Sequence, residues 1–440
     1  MTTASPRVPR KIVLGLVGGI ASLAMLTACG PANTGAAGAG SENFTILHHQ
    51  DMESFNGTPK LINLLGQTQC AAEEKAQPIS FELIDQTAVD TNLTLLAGQD
   101  ALPVLFTAPG SKELIGDFAG ANQLLDIEKA LDEQGVLDQL NPAALDVAKA
   151  LYGDTVYTIP FEFNIEGFWY NKDIFAANGI EIPTTWDELA DAAQQLEDAG
   201  VLPFSAAGDQ GWPITRLLSG YLFRDLGADA LQKVANGEAK LTDPEYVAAA
   251  QAIADLGAEG YFGEGVASVS YDAAIAQFLT GQAGIFYMGS WALGNFNDPA
   301  QNQIGEDAIG WFPVPTVDGG AGSITETPAN NGLMSSMSAK LYDDNAAAWL
   351  TCIAENYGNA SLSEFGSISA FKATETPADL PALTALTQEN IDASTGGVLW
   401  FEALFNQEAT TVSQANGTGL VTGNLTPEAF MQLVQDALDK

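Results

Sequence analysis

The chain has 440 residues, of which 46% are hydrophobic and 9% aromatic, with 55 acidic side chains against 16 basic ones and a net charge of −39. That balance excludes a nucleic-acid binder, which needs clustered Lys and Arg to displace counterions. It equally excludes a basic surface that clings to anionic lipid. The composition is that of a globular protein with a solvated acidic exterior, long enough for two or three ordinary domains.

The N-terminus reads first as an address. "RVPRKIVLGLVGGIASLAMLTACG" has a basic start at Arg7, Arg10 and Lys11, an apolar run from Ile12 to Leu26, and a small-residue close at Ala28-Cys29. Such an order marks a secretory signal, and the apolar run is short of the roughly 20 residues of a spanning helix. Residues 1–28 are therefore expected to be a signal peptide. Leu-Thr-Ala-Cys resembles the bacterial lipoprotein box, which implies lipidation of Cys29 and anchoring at the outer face of the cytoplasmic membrane. Residues 29–42, rich in Gly and Ala, read as a flexible tether.

Further along, strands and helices alternate. "NFTILHH" reads as a strand, "GTPKLINLLGQTQCAAEEK" as a helix, and "PISFELIDQ" alternates Ile79, Phe81 and Leu83 as a strand does. "TNLTLLAGQ" is a helix stopped by Gly98, and "ALPVLFTAP" a short apolar strand. "TVYTIPFEFNIEGFWYN" is strand-like, and "KDIFAANG" a helix closed by Gly179. "TTWDELADAAQQLEDAGV" has a capping Thr, acids in its first turn and Gly200 at its end. Two more helices, the buried strand "AGIFYMGSW", a late strand "GLMSSMS", the helix "DDNAAAWLTCIAENYG" and an amphipathic closing helix follow. The alternation predicts an α/β fold with largely parallel sheet. Cys70 and Cys352 are the cysteines left if Cys29 is lipidated. Spacing does not show that they meet, and Cys352, on an apolar helix face, reads as a buried thiol.

At "GFWYNKDIFAANGIEIPTTWDELADAAQQLEDAGVLPF" the chain resembles the carbohydrate-binding lipoproteins of ABC importers, the family 1 extracellular solute-binding proteins, whose pattern is WYNKxxFxxxGxxxPxTWxEL. "FLTGQAGIFYMGSW", "GWFPVP" and "PANNGLMSS" resemble further family segments. The chain departs from the family at Leu102-Pro103-Val104, where an Asp is usual, and in carrying Cys70. The resemblance implies a two-lobed periplasmic-binding-protein-like fold with an interlobe ligand cleft and hinge crossovers. One lobe is expected at 43–152 plus 290–341 and the other at 153–289 plus 342–440. It further implies a monomer that captures a mono- or oligosaccharide between its lobes and delivers it to the ABC permease subunits in the membrane.

A pyranose presents a C–H face and a rim of hydroxyls. Aromatic side chains can cover the first, while acids and amides can pair with the second, because a desolvated hydroxyl left unpaired costs about 1–3 kcal/mol. "FEFNIEGFWYN" supplies both kinds of group. In an extended segment Phe161 and Phe163 share one face and Glu162 and Asn164 the other. All four are candidates, because the resemblance implies that this loop enters the cleft. Ser290 and Trp291 follow a buried strand, and Trp291 is the leading candidate to stack on a ring. Trp212 lies in "GDQGWP", read as an exposed Gly-rich loop, and Trp400 and Phe401 come late in the chain. Asn330 and Asn331 precede Gly332, and Asn-Asn-Gly is also ordinary turn chemistry. Trp186, Trp311 and Trp349 are assigned to packing.

His48 and His49 are the only histidines of the chain. Neighbours on a strand point to opposite sides, so they make a poor metal pair, and no zinc motif or phosphate loop implies a cofactor. One of His48, Gln50 and Asp51 is expected to reach the ligand from the end of the first strand. The rival reading is a lipoprotein glycoside hydrolase with Glu162 and Glu166 as its carboxylates, though an acidic chain offers many accidental pairs. A binder of some other solute on the same scaffold would lack the aromatics that are plentiful here.

Overall fold

The computed structural model describes residues 41–49, 57–85 and 88–440. The expected signal peptide, Cys29, Gln50 and Asp51 lie outside them. Ten strands are described: β1 (Phe44–His48), β2 (Ile79–Leu83), β3 (Leu105–Thr107), β4 (Asn164–Asn171), β5 (Leu202–Ser205), β6 (Ala283–Gly289), β7 (Ile309–Phe312), β8 (Glu326–Asn330), β9 (Ser335–Met337) and β10 (Gly396–Val398). They form two sheets. The smaller runs β2-β1-β3-β9, with β1 parallel to β2 and β3, and β9 antiparallel to β3. The larger runs β10-β8-β4-β6-β5, and β7 shares an edge of β4 with β8. Both sheets are mixed, and in the larger one β4 is antiparallel to each of its partners.

Strand alternation builds a core on each face of each sheet. In the smaller sheet Phe44, Ile46 and Leu105 enter one cluster, and Leu47 and Phe106 enter another. In the larger, Phe168, Tyr170, Ile285 and Tyr287 face one way while Trp169, Phe286 and Met288 face the other. Every residue of β4 and β6 is buried; β6 accordingly reads as a continuous apolar run, whereas β4 also buries the polar Asn164, Glu166 and Asn171. Local signals set the helix ends. Thr185 and Glu188 form a capping box on the helix Trp186–Asp198, and Gly179 closes Lys172–Asn178 in the left-handed conformation.

The late segments are distributed differently from the expectation. β7 and β8, expected in the first lobe, pair with β4 in the larger sheet. The helix Asp344–Phe365, expected in the second lobe, packs on the smaller sheet. Trp349 drives this: its ring lies 5.1 Å from that of Phe44, and its Nε1 donates to the Gln77 carbonyl at 2.9 Å. On the same helix Cys352 is disulfide-bonded to Cys70, with their Cα atoms 5.9 Å apart. It is therefore not a free thiol; helix packing brings together two cysteines that spacing could not relate.

The chain crosses between the sheets at 159–164 and again at 330–335, and these strips run antiparallel. Ile159 bridges Ser335 at the smaller sheet, and Asn164 pairs with Asn330 at the larger. It crosses once more after Gly366, where the helix ends in a left-handed turn. Among the described residues no helix is long and apolar enough to cross a membrane.

Candidate functional site

The crossover strips carry a chain of polar contacts. At 161–164 the alternation sends Phe161 and Phe163 into the smaller sheet's core, where the Phe161 ring lies 4.8 Å from Tyr357 and 5.9 Å from Phe371. These two phenylalanines are core residues, not ligand walls. Glu162 and Asn164 take the other side, and Asn164 Nδ2 donates to Glu162 Oε2 at 3.1 Å. Ser290 Oγ donates to Asn164 Oδ1 at 3.2 Å and accepts from the Ile165 amide. Asn330 Oδ1 accepts the Gly332 amide at 2.9 Å, while its Nδ2 donates to Glu166 Oε1 at 2.9 Å. Glu166, 1% exposed, also receives the Tyr287 hydroxyl and an ion pair from Arg216. Asn331 turns away from this network, donating to the Ala144 carbonyl at 2.8 Å.

Gly332 explains the Asn-Asn-Gly sequence. Its φ is +60°, and a Cβ there would lie 2.4 Å from Glu162 Oε2. Glycine at this turn both permits the left-handed backbone and leaves room for the carboxylate.

The aromatic wall comes from the larger sheet's side. Trp212 is not in a loop but opens the helix Trp212–Leu226, whose N-cap is Gly211 and whose first turn holds Pro213. Pro is tolerated in a first turn, where no intrahelical acceptor awaits its nitrogen, so "GWP" begins a helix rather than breaking one. Trp212 is half-buried, 5.9 Å from Trp291 and 6.3 Å from Tyr271 between ring centres. Trp291 sits in the short turn Ser290–Ala292 directly after β6, also half-buried. A Cβ on Gly289 would lie 1.9 Å from its ring, so the bare glycine seats the indole. One helical turn beyond Trp212, Arg216 lies over two indoles, its guanidinium carbon 5.7 Å from the Trp212 ring and 4.6 Å from that of Trp400.

Trp400 packs half-buried against the smaller sheet's core. Phe401 does not join it: fully buried, it packs in the larger sheet's core, 5.1 Å from Phe405. Beside them Glu402 is 3% exposed. Its Oε1 accepts the Ser413 hydroxyl at 2.9 Å, and its Oε2 is buried with no hydrogen-bond partner among the described residues. Arg216 Nε is buried and unpartnered in the same sense.

Burial pushes the Glu162 and Glu402 carboxyls above the ordinary carboxylate range, against the smaller opposing effects of Asn164 on the first and of Thr215 and Arg216 on the second. The Tyr271 phenol, raised by burial and opposed by the Trp291 indole, reaches about 12 and lies in the field of Glu162. The histidines sit at the smaller sheet's end of the crossover, where His48 Nε2 lies 3.5 Å from the Ser335 hydroxyl. His48 is fully buried and stacked on His49 at 4.5 Å, and His49 Nδ1 is 3.0 Å from the Thr107 hydroxyl. Burial lowers them to about 3 and about 4, with His49 adding to the effect on His48, so both rings are neutral at pH 7.

The structure thus brings together Glu162, Asn164, Ser290, Trp291, Asn330, Trp212 and Trp400, and directs Phe161, Phe163, Asn331, Phe401 and His48 into packing. Arg216, Tyr271 and Glu402 were missed by sequence reasoning. With "GWPITR" read as a helix start, the four-residue spacing from Trp212 to Arg216 would have exposed the first of them. A surface cavity of about 200 Å³ lined by Leu64, Thr68, Asn359, Glu364 and Pro377 lies elsewhere, beside the helix Asp344–Phe365, and offers no aromatic ring. The metal-ligand grouping found among the described residues, Cys70, Glu73 and Cys352, has its two sulfurs bonded to each other.

The sequence model of the bacterial extracellular solute-binding proteins matches residues 71–356. The chain belongs to that family. It is a family of binding proteins rather than of enzymes, which removes the hydrolase reading of Glu162 and Glu166. Similar members include the multiple sugar-binding protein of Streptococcus mutans, 29% identical over 170 residues, or 36% of this chain and 38% of that one. The mannitol-binding protein of Pseudomonas aeruginosa is 27% identical over 205 residues, 44% of each chain. This solute-binding protein spans about two-fifths of the length of the curated relatives it matches, 37% and 42% for two from Pyrococcus horikoshii. Among solved structures, a chitin oligosaccharide binding protein superposes with a TM-score of 0.77 at 24% identity, covering 91% of this chain and 99% of that one. The solute-binding protein RafE in complex with raffinose gives 0.68 at 20% identity, covering 90% and 98%. At such identities the likeness establishes the periplasmic-binding-protein fold.

Proposed function

We propose that this solute-binding protein captures a sugar or oligosaccharide between its two lobes and delivers it to the permease of an ABC importer. The observation that carries the reading is the half-buried set Trp212, Trp291 and Trp400, edged by Glu162, Asn164 and Arg216 where the chain crosses between sheets. Flat rings at that spacing can cover C–H faces while the carboxylates and amides pair with hydroxyls. The names of the similar multiple sugar-binding protein and of the raffinose complex support the same solute class. The lobes are proposed to be built on the two sheets and to close about the ligand by rotation at the crossover strips, a closure favoured only through the extra contacts the closed form makes. Cys29 is proposed to carry the lipid that holds the protein at the outer face of the membrane.

A panel of oligosaccharides tests the reading. A ligand should raise the melting temperature of the mature protein and be recovered intact. A panel-wide lack of any shift would sink the sugar reading. Mannitol belongs in the panel, because the similarity to a mannitol-binding protein makes an open-chain polyol the second reading. Scattering with and without ligand should report compaction, and labelling with radioactive fatty acid should be lost on Cys29→Ser.

A further inference from the structure

We infer that the site selects a neutral or amino-bearing saccharide and turns away an anionic one, a refinement that rests on the sugar-binding reading above. Charge and hydrogen-bonding capacity point the same way. The carboxylates of Glu162, Glu166 and Glu402 stand against the guanidinium of Arg216, with Arg224 held further back on backbone carbonyls, and Glu162 to Arg216 are linked in series through Asn164, Asn330 and Glu166. The Arg216 guanidinium is already committed. Arg216 is ion-paired to Glu166, which is itself 1% exposed, and its planar group lies over Trp212 and Trp400. An incoming uronate would have to share that guanidinium with a buried carboxylate, and like charges brought together in a desolvated site repel strongly.

The unpartnered atoms make the second argument. Glu402 Oε2 is buried and lacks a well-aligned donor, the Thr215 hydroxyl and the Arg216 charge being what act on this carboxyl, while Arg216 Nε is buried and donates to none of the described residues. These two groups lie in each other's field. A hydroxyl can accept from one neighbour and donate to another, and an ammonium can donate three times, whereas a carboxylate only accepts. A uronate could pair with the Nε–H but would bring Glu402 Oε2 no donor and would add a fourth carboxylate to those of Glu162, Glu166 and Glu402. A hydroxyl or amine on the solute satisfies the acceptor. Burial also holds the Glu162 and Glu402 carboxyls up, so each gains from a nearby donor or positive charge and loses from a further negative one.

The test is a glycan array followed by calorimetry on the mature protein, with neutral, 2-amino and 6-carboxylate oligosaccharides matched in length and linkage. Neutral or amino compounds should bind, with the matched carboxylate weaker by about tenfold or more. Within the same series Glu402→Gln and Glu162→Gln should each narrow the ratio of neutral to carboxylate affinity. A ratio is read within one variant, so it survives a change in overall stability. Carboxylate oligosaccharides binding as tightly as their neutral counterparts would overturn the charge selection and leave the sugar reading standing. A set of compounds none of which binds would overturn both.

Discussion

Trp400 and Phe401 are chain neighbours that serve different cores: the first packs on the smaller sheet's core beneath Arg216, and the second is sealed in the larger sheet's core. Their alanine variants should therefore fail differently. Phe401→Ala removes a fully buried ring and is expected to cost about 3–5 kcal/mol of stability in urea unfolding. Trp400→Ala is expected to cost less, on the order of 1–2 kcal/mol, but to weaken sugar binding by about tenfold or more in calorimetry. Equal effects of the two variants on affinity would contradict the division of labour.

Trp291 is seated by the missing Cβ of Gly289. Gly289→Ala puts a methyl where the indole lies, 1.9 Å from its nearest ring atom, so the ring must swing out. Affinity should fall with Gly289→Ala much as it does with Trp291→Ala, by about tenfold. Indole fluorescence of the two variants, compared with the parent during titration, checks whether the ring reports on ligand. An unchanged affinity in Trp291→Ala would reassign that residue to packing.

The Cys70–Cys352 bridge closes a loop with a sequence separation of 282. Loop-closure entropy in the unfolded chain makes such a long bridge worth about 2–5 kcal/mol. Cys70→Ser with Cys352→Ser should lower the urea midpoint by a corresponding amount and leave sugar affinity nearly intact, because the bridge lies on the helix side of the smaller sheet. A variant as stable as the parent would show that helix packing alone fixes Trp349 on Phe44.

Acid should unfold the protein partly through its histidines. Their folded values, about 3 for His48 and about 4 for His49, lie below the ordinary 6.5. Stability from this source is complete above pH 6.5 and is lost as pH falls through the folded values, on the order of 2–4 kcal/mol. His48→Asn should flatten that decline. Glu402 has the opposite sign: its raised value means the folded state holds the proton longer, so the group costs stability at neutral pH. Glu402→Gln should be more stable than the parent at pH 7, and the gap should close as pH falls below the ordinary 4.5.

Much of the fold is legible in the residues, for local reasons. The capping box at Thr185, the left-handed Gly179 and the alternation at 161–164 are each decided within a few positions. What escaped the sequence was decided at long range. Nothing near Cys352 says that its partner lies on the opening segment, and nothing in "IGWF" or "ETPAN" says which sheet they join; register with β4 does. The same holds for the site. Polar residues on the crossover strip followed from alternation, but Phe161 against Glu162 could be assigned to core and network only once a second strip was laid beside the first. Trp212 was misread because the glycines of "GDQGWP" suggested a loop, and with it went Arg216.

The seating of Trp349 on Phe44 has a bearing on how the polypeptide matures. The opening strand receives its lid from a helix that begins at Asp344, so about three hundred residues separate the two halves of one nucleus. A chain leaving the ribosome cannot complete the cluster around Phe44 until that late helix has emerged. Its opening strand gains that packing partner last, so this nucleus is among the highest-contact-order parts of the fold.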